Sequence, residues 1–333
     1  MKKYLKISLG VLGGVLLLLL VWKFVADATY FNDYDSKLPF NESVVEVNEV
    51  NDTIDFFGIT RPRHYRRVVF RYQSRPGEMV PALLTFPAES TGKVPCIVFL
   101  HGIGQSKKFL DEITTPFNEA GFAMVTFDQH MQGERDVKGV MAQAVAFRQR
   151  PWKTINDTRR LIDYLETHPD IDSERIYLIG ASYGAITGCT AVAFDKRIKA
   201  AIMVVGGGNI PVLLDAPLIR NNAPRALYMI AKPLVSFLMR PADPVRYAAR
   251  TAPTPMLFQN GDQDTLVTPA AGKELFNAAG EPKEIRWYPC DHPGLVKSQA
   301  GVIVAILDEG LQWLIEKDLP FRKTAVDAQK SAV

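Results

Sequence analysis

The chain has 333 residues, 47% of them hydrophobic and 23% charged, with a formal net charge of +3. That is room for one large domain or two ordinary ones, with the composition of a globular protein. A charge this small, with no basic patch beyond the N-terminus, leaves no footprint for nucleic acid, and the three widely spaced cysteines Cys96, Cys189 and Cys290 make neither a metal-ligand pattern nor a disulfide framework, so they are expected to be buried free thiols.

The N-terminus is the first predicted element. Lys2, Lys3 and Lys6 precede the apolar run ISLGVLGGVLLLLLVW over residues 7–22; Lys23 interrupts it and residues 24–26 continue it. The run is apolar on every face, and with lysines snorkelling at both ends it is long enough for a bilayer core of roughly 30 Å. Residues 1–26 are therefore expected to form a transmembrane anchor. A cleaved secretory signal is the alternative, because Ala26-Asp27-Ala28 has the small-x-small form of a cleavage site. In both cases the basic flank stays cytoplasmic and the rest of the chain lies outside the cytoplasm, anchored or secreted.

Residues 27–43 are polar and aromatic without a period and read as a linker. Strand-like patterning runs from about 44 to 87, where RRVVFRYQS and MVPALLTFP flank Arg75-Pro76-Gly77-Glu78, a turn signal that predicts an antiparallel hairpin. Short continuous apolar runs then alternate with helical segments. Strands are predicted at 94–100, 122–128, 176–180, 200–206, 255–261 and 284–289, and helices at 109–120, 151–168, after Ser182, and at 301–317. Runs of this kind are strands buried on both faces, so the fold class is α/β, with a mostly parallel sheet and helices on both sides. Residues 209–248 break the rhythm with an apolar, helix-like stretch and are expected to be a helical cap insertion over the site. The main domain is expected to span 44–320, with 321–333 a tail.

The stretch IYLIGASYGAIT carries the first chemical signal: an apolar strand enters Gly180-Ala-Ser-Tyr-Gly184, and a small-residue helix leaves it. Such a turn raises a serine as a nucleophile, and the new helix points its amides at it. Serine needs a histidine base, and the histidine needs a carboxylate. On a strand-turn-helix elbow of this type the acid and the histidine follow the serine in the chain. Of the five histidines only His292 follows Ser182, since His64, His101, His130 and His168 all precede it, His168 reading as a helix C-terminal cap. For the acid, NGDQDTLVTP supplies Asp262 and Asp264. Asp243 reads as a helix cap before Pro244, and Asp291 lies too close in the chain to His292 to converge on it.

FLHGIGQS, FDQHMQGERD, GASYGA, NGDQDTLVTP and CDHPGL occur in the order found in the α/β-hydrolase family, which the chain resembles over roughly residues 66–318. The dienelactone-hydrolase-like and acetyl-esterase-like branches are nearest, along with the catalytic domains of prolyl-oligopeptidase-type peptidases. The resemblance implies an α/β-hydrolase fold. It selects Asp264 as the acid, through the family's Gly-x-x-Asp-x-x-Val-Pro with Thr268 inserted before Pro269, and keeps Asp262 in reserve. It also assigns an oxyanion hole to the backbone N–H groups of Ile103 and Tyr183, with His101 bracing the loop. Glu134 and Arg135, where the family's run of small residues is replaced, are expected to pair with each other.

The expected function is a serine hydrolase acting on a small-molecule carboxylic ester through an acyl-enzyme, with Ser182, His292 and Asp264 as its triad. No cofactor, metal, nucleic acid or obligate protein partner is implied, and the membrane is met through the N-terminal segment. Peptidase or thioesterase work on the same residues is one alternative. A membrane-tethered binding protein without catalysis is the other, since fold does not fix function.

Overall fold

The computed structural model describes residues 2–56, 59–90, 92–293 and 300–331. Helix α1 (Lys2–Ala28) is followed by β1 (Ser43–Phe56), β2 (Ile59–Arg75), β3 (Glu78–Pro87), β4 (Val94–Leu100), the short helices α2 (Leu110–Ile113) and α3 (Thr115–Glu119), and β5 (Ala123–Phe127). Then come α4 (Val140–Thr167), β6 (Ile171–Ala181), α5 (Tyr183–Phe194), β7 (Ile198–Val204), the insertion helices α6 (Ile210–Leu214), α7 (Pro217–Asn221) and α8 (Arg225–Met239), β8 (Met256–Gly261), α9 (Pro269–Ala278), β9 (Lys283–Tyr288) and α10 (Ala300–Ser331). The nine strands form one sheet in the order β1-β2-β3-β5-β4-β6-β7-β8-β9. The first three strands and the β3–β5 pair are antiparallel; from β5 onward every pairing is parallel.

Alternation along each strand explains why the central runs are apolar throughout. Cys96, Val98 and Leu100 of β4, with Ile176 and Leu178 of β6, face the layer built by α4, α5 and α9. Ile97, Phe99, Tyr177 and Ile179 face the opposite layer of α2, α3 and α10. Successive side chains point to opposite faces, so a strand covered on both sides has no polar position to offer. Burying each large side chain stabilises the fold by about 1.5–3 kcal/mol. The chain leaves β4 towards β5 on one side and β6 on the other, and the resulting crevice at the carboxyl ends of the strands is where ligands meet such sheets.

Several segments differ from their sequence expectation for identifiable reasons. The helix expected at 109–120 is divided at Thr114 into α2 and α3, with Pro116, which has no N–H to donate, in the first turn of α3. Helix α4 begins well before Pro151 and carries that proline in its interior. α10 continues through Pro320 to Ser331, where a tail was expected. Residues 27–43 form a strap and not a free linker, because their aromatic side chains find partners. The Tyr30 hydroxyl donates to Arg148 O at 2.6 Å, Phe31 packs on Phe194, and Arg160 donates to the carbonyls of Ser36 and Leu38.

α1 is one continuous helix. The side chains of Lys2, Lys3 and Lys6 lie outside the described residues. Lys23, expected to snorkel, is 6% exposed, pairs with Asp27 and sits over the Phe237 ring. Among the described residues no helix is long and apolar enough to cross a membrane.

A buried ionic cluster holds the end of the β2–β3 hairpin to α4. Asp157, fully buried, accepts from Arg75 at 2.8 Å, from Arg135 at 2.7 Å and from Ser74, while Glu78 accepts from Arg75, Arg135 and Lys153. Burial alone would raise both carboxyls, but the facing guanidinium groups outweigh it and hold them below the usual carboxylate range. His130 lies beside this cluster. Burial, then the charges of Lys153 and Arg135, push its pKa down to about 4, against the opposing pull of Glu78 and Asp157. The native state therefore favours neutral His130, while the unfolded chain takes up its proton near pH 6.5. His130's contribution to stability is expected to be intact above about pH 6.5 and lost as the pH falls towards about 4. Urea denaturation across that window checks this, with His130→Gln flattening part of the slope.

Candidate active site

Ser182 stands between β6 and α5 at φ 54° and ψ −116°, in the left-handed half of backbone space where a non-glycine residue is held only by its surroundings. Its N–H donates to Val204 O on the neighbouring strand at 2.9 Å. The flanking glycines are required by close approach: a Cβ on Gly180 would lie 2.3 Å from Gly184 O, and one on Gly184 would lie 1.8 Å from Leu100 O. Helix α5, starting at Tyr183, aims its positive end at the serine.

The structure brings His292 and Asp264 to this elbow from the ends of β9 and β8. His292 Nε2 lies 3.0 Å from Ser182 Oγ, and His292 Nδ1 lies 2.7 Å from Asp264 Oδ2. Asp264 Oδ1 accepts from the N–H groups of Leu266 and Val267 at 2.8 and 2.7 Å, which leaves its other oxygen for the histidine. Both side chains are buried. With Nδ1–H donating to the carboxylate, Nε2 carries the lone pair that accepts the serine O–H. Asp262 is exposed, and it is Asp264 that His292 Nδ1 meets. Gly294 and Leu295 of the CDHPGL motif lie outside the described residues.

Asp291 has a role that sequence reasoning missed. Its carboxylate accepts from His292 N at 2.7 Å, Thr265 N at 2.8 Å and Thr265 Oγ1 at 2.9 Å, clasping the acid loop to the histidine loop. Burial opposes its charge, but these donors outweigh that and hold the carboxyl low. Gly261 permits the same approach, since a Cβ there would lie 2.5 Å from Cys290 O. Only the position of Asp291 beside His292 could have flagged it.

The loop after β4 is held by two glutamines. Gly102 N donates to Gln105 Oε1 and Gly104 N to Gln132 Oε1, each at 2.8 Å. Between them, the Ile103 N–H has no partner among the described residues. The Tyr183 N–H, first in α5, has no helical carbonyl to meet. His101 is fully buried, with its ring nitrogens 3.0 Å from Gly102 O and 3.1 Å from Phe127 O, so it bridges the ends of β4 and β5. Burial lowers its pKa, against the pull of the two carbonyls.

Glu134 and Arg135 do not pair with each other. Glu134 meets Lys107 and Arg71, while Arg135 meets Glu78, Asp157 and the Asp128 carbonyl. The two adjacent side chains leave a tight turn at Gly133 (φ 56°) for different partners, Glu134 for two cations and Arg135 for the buried acidic cluster.

A cavity of about 530 Å³ opens beside Ser182 and His292, with a mostly apolar lining that includes Ile103, Phe109, Ile179, Leu266 and Ile303. The 209–248 insertion is helical, but none of its residues lines this cavity. It meets the acid loop where Leu218 N donates to Thr265 O at 3.2 Å. Asp243 closes its base: besides capping Val245 N, it accepts from Asn209 N and Ile210 N at 3.0 and 2.9 Å. Among the described residues no three His, Cys, Asp or Glu side chains gather as a metal site would require.

Comparison with known proteins places this geometry in a family. The family model described as acetyl xylan esterase (AXE1) matches residues 31–207, which takes in the Ile103 loop and Ser182 and stops short of Asp264 and His292. An uncharacterized 31.7 kDa protein of the traX-finO intergenic region of Escherichia coli is 32% identical over 148 residues, 44% of this chain and 49% of that protein. The chain thus spans about half the length of this curated relative. A putative esterase, YitV, of Bacillus subtilis is 26% identical over 188 residues, 55% of this chain and 74% of that one. The solved structure of acetyl xylan esterase 1 from Thermoanaerobacterium sp. JW/SL YS485 superposes with a TM-score of 0.63 at 16% identity, covering 86% of this chain and 93% of the other, which establishes the shared α/β-hydrolase fold. With more than half of its residues matched by the family model, the chain belongs to the acetyl xylan esterase (AXE1) family.

Proposed function

We propose that the protein is a serine carboxylic-ester hydrolase that works through an acyl-enzyme. The observation that carries this reading is the continuous line from Ser182 Oγ through His292 to Asp264, at 3.0 and 2.7 Å. Ser182 Oγ attacks the acyl carbon as His292 Nε2 takes its proton, and the oxyanion is met by the N–H groups of Ile103 and Tyr183. His292 then protonates the leaving alcohol, and a water activated by the same nitrogen releases the acid and restores the serine. Asp264 holds the imidazole in the required tautomer and balances its charge. A small acyl group suits both the family's description and the mostly apolar cavity beside Ser182.

The test is labelling of the full chain with a fluorophosphonate, followed by mass spectrometry of the modified peptide. The expected adduct is on Ser182, it is competed by short acyl esters, and it is absent after denaturation. A folded protein that takes no label, or takes it elsewhere, overturns the reading. A parallel panel of acetyl esters, thioesters and peptide amides separates ester work from thioesterase or peptidase work.

For the N-terminal segment, the reading is an uncleaved bilayer anchor with the domain outside the cytoplasm. The apolar run of residues 7–22 behind Lys2, Lys3 and Lys6 supports it. Carbonate extraction of membranes and protease accessibility in spheroplasts test both halves.

A further inference from the structure

Helix α8 exposes an apolar stripe that the proposed chemistry does not use. Leu227, Ile230, Leu234 and Phe237 follow one another at intervals of three or four residues and all face outward, Ile230 being 69% and Leu234 53% exposed. Spacing of this kind puts side chains on one face of a helix about 22 Å long. A soluble domain normally turns such a face inward. From residue 216 to 242 the chain carries Arg220, Arg225, Lys232 and Arg240 and no acidic residue. Lys232 pairs with Asp215, while the three arginines are exposed and form no ion pair among the described residues. An apolar face with exposed cations at its ends, Arg225 and Arg240 having no acidic partner among the described residues while Arg220 acts on Asp215, is the make-up of a helix that lies in the headgroup layer of an anionic bilayer.

Its position in the fold agrees with that partner. The C-terminal end of α8 is locked to the C-terminal turn of α1: Lys23 Nζ lies 4.4 Å from the centre of the Phe237 ring, Asp27 accepts from Arg148 at 2.9 Å, and Arg148 also donates to Leu238 O. A bilayer that receives α1 therefore meets α8 next. We propose that α8 is a membrane-docking surface whose Leu227–Phe237 stripe rests in an anionic lipid interface and holds the domain against it. The proposal rests in part on the anchor reading for α1 and is independent of the ester chemistry.

The experiment uses the full chain in vesicles of phosphatidylcholine and phosphatidylglycerol, with Ile230→Cys carrying an environment-sensitive nitrobenzoxadiazole. The three native cysteines are buried, so labelling reports the introduced position. The expected result is loss of emission with nitroxide-labelled acyl chains and protection from aqueous iodide, both weakened in phosphatidylcholine alone. Glu174→Cys, at the exposed amino end of the central strand β6, is expected to show the reverse. Iodide quenching at Ile230→Cys equal to that at Glu174→Cys overturns the proposal, as does protection from iodide without lipid quenching, which would mean that a second copy covers the face. Leu18→Cys reads the anchor separately, so a failed anchor and a failed docking surface are told apart.

Discussion

Ser182→Ala is expected to lower kcat for a short acyl ester by roughly a million-fold, and His292→Ala by a similar factor. In the proposed mechanism neither group works without the other, because the hydroxyl is inert until Nε2, 3.0 Å away, takes its proton. The double variant is therefore expected to lose little more than either single one, a non-additivity that separates a working pair from two independent contributors. Asp264→Asn is expected to cost less, roughly 10⁴-fold, because it leaves the serine and the ring in place but offers Nδ1 the wrong hydrogen-bond partner. Stopped assays on folded variants, with thermal melts as the control, check the series. A Ser182→Ala enzyme that keeps a tenth of wild-type kcat contradicts the mechanism.

The second large effect is on stability. Asp157→Ala is expected to cost about 3–5 kcal/mol, read as a lower urea midpoint at unchanged slope. The reason is what it leaves behind: Arg75 and Arg135, each with a side chain 7% exposed, lose the fully buried carboxylate between them. Arg135 keeps Glu78 and the Asp128 carbonyl, and Arg75 keeps Glu78, so the loss is bounded. Replacing the exposed Glu174, whose carboxylate meets Lys199 at 3.2 Å, is expected to change the midpoint hardly at all.

The site's legibility in the sequence followed the distance over which each residue's neighbours act. Ser182 was readable because its strand, its glycines and its helix are all within a dozen positions, and His292 because only one histidine follows it. Asp264 was separable from Asp262 only through the family pattern; in the fold the difference is plain, one carboxylate being buried and the other exposed. Arg135 was misread because its partners lie 57 and 22 positions away, beyond any local rule. Gln105 and Gln132 were missed because a glutamine that fixes a backbone amide leaves no trace in periodicity. The insertion was legible as helix from its composition. Its placement was not, since that depends on Tyr30 in the strap meeting Met239 and Ala242 at the end of the insertion.

All three cysteines are free and buried, and that burial governs how the folded chain meets oxidants. Thiol–disulfide exchange proceeds through the thiolate. Burial pushes the Cys189 thiol up to about 12, and burial with the nearby carboxylates of Asp264, Asp262 and Asp291 pushes Cys290 up to about 11; burial raises Cys96 as well. At pH 8 about one Cys290 in a thousand is ionised, and the other two thiols fewer still. An odd number of thiols is a hazard in an oxidising compartment only while they are reachable. Here the reactive interval ends when β4 enters the sheet, α5 packs over it and the Cys290 loop closes on Gly261. Once folded, the domain presents oxidants with few thiolates, so the interval before these elements close is the one in which a wrong disulfide is expected to form.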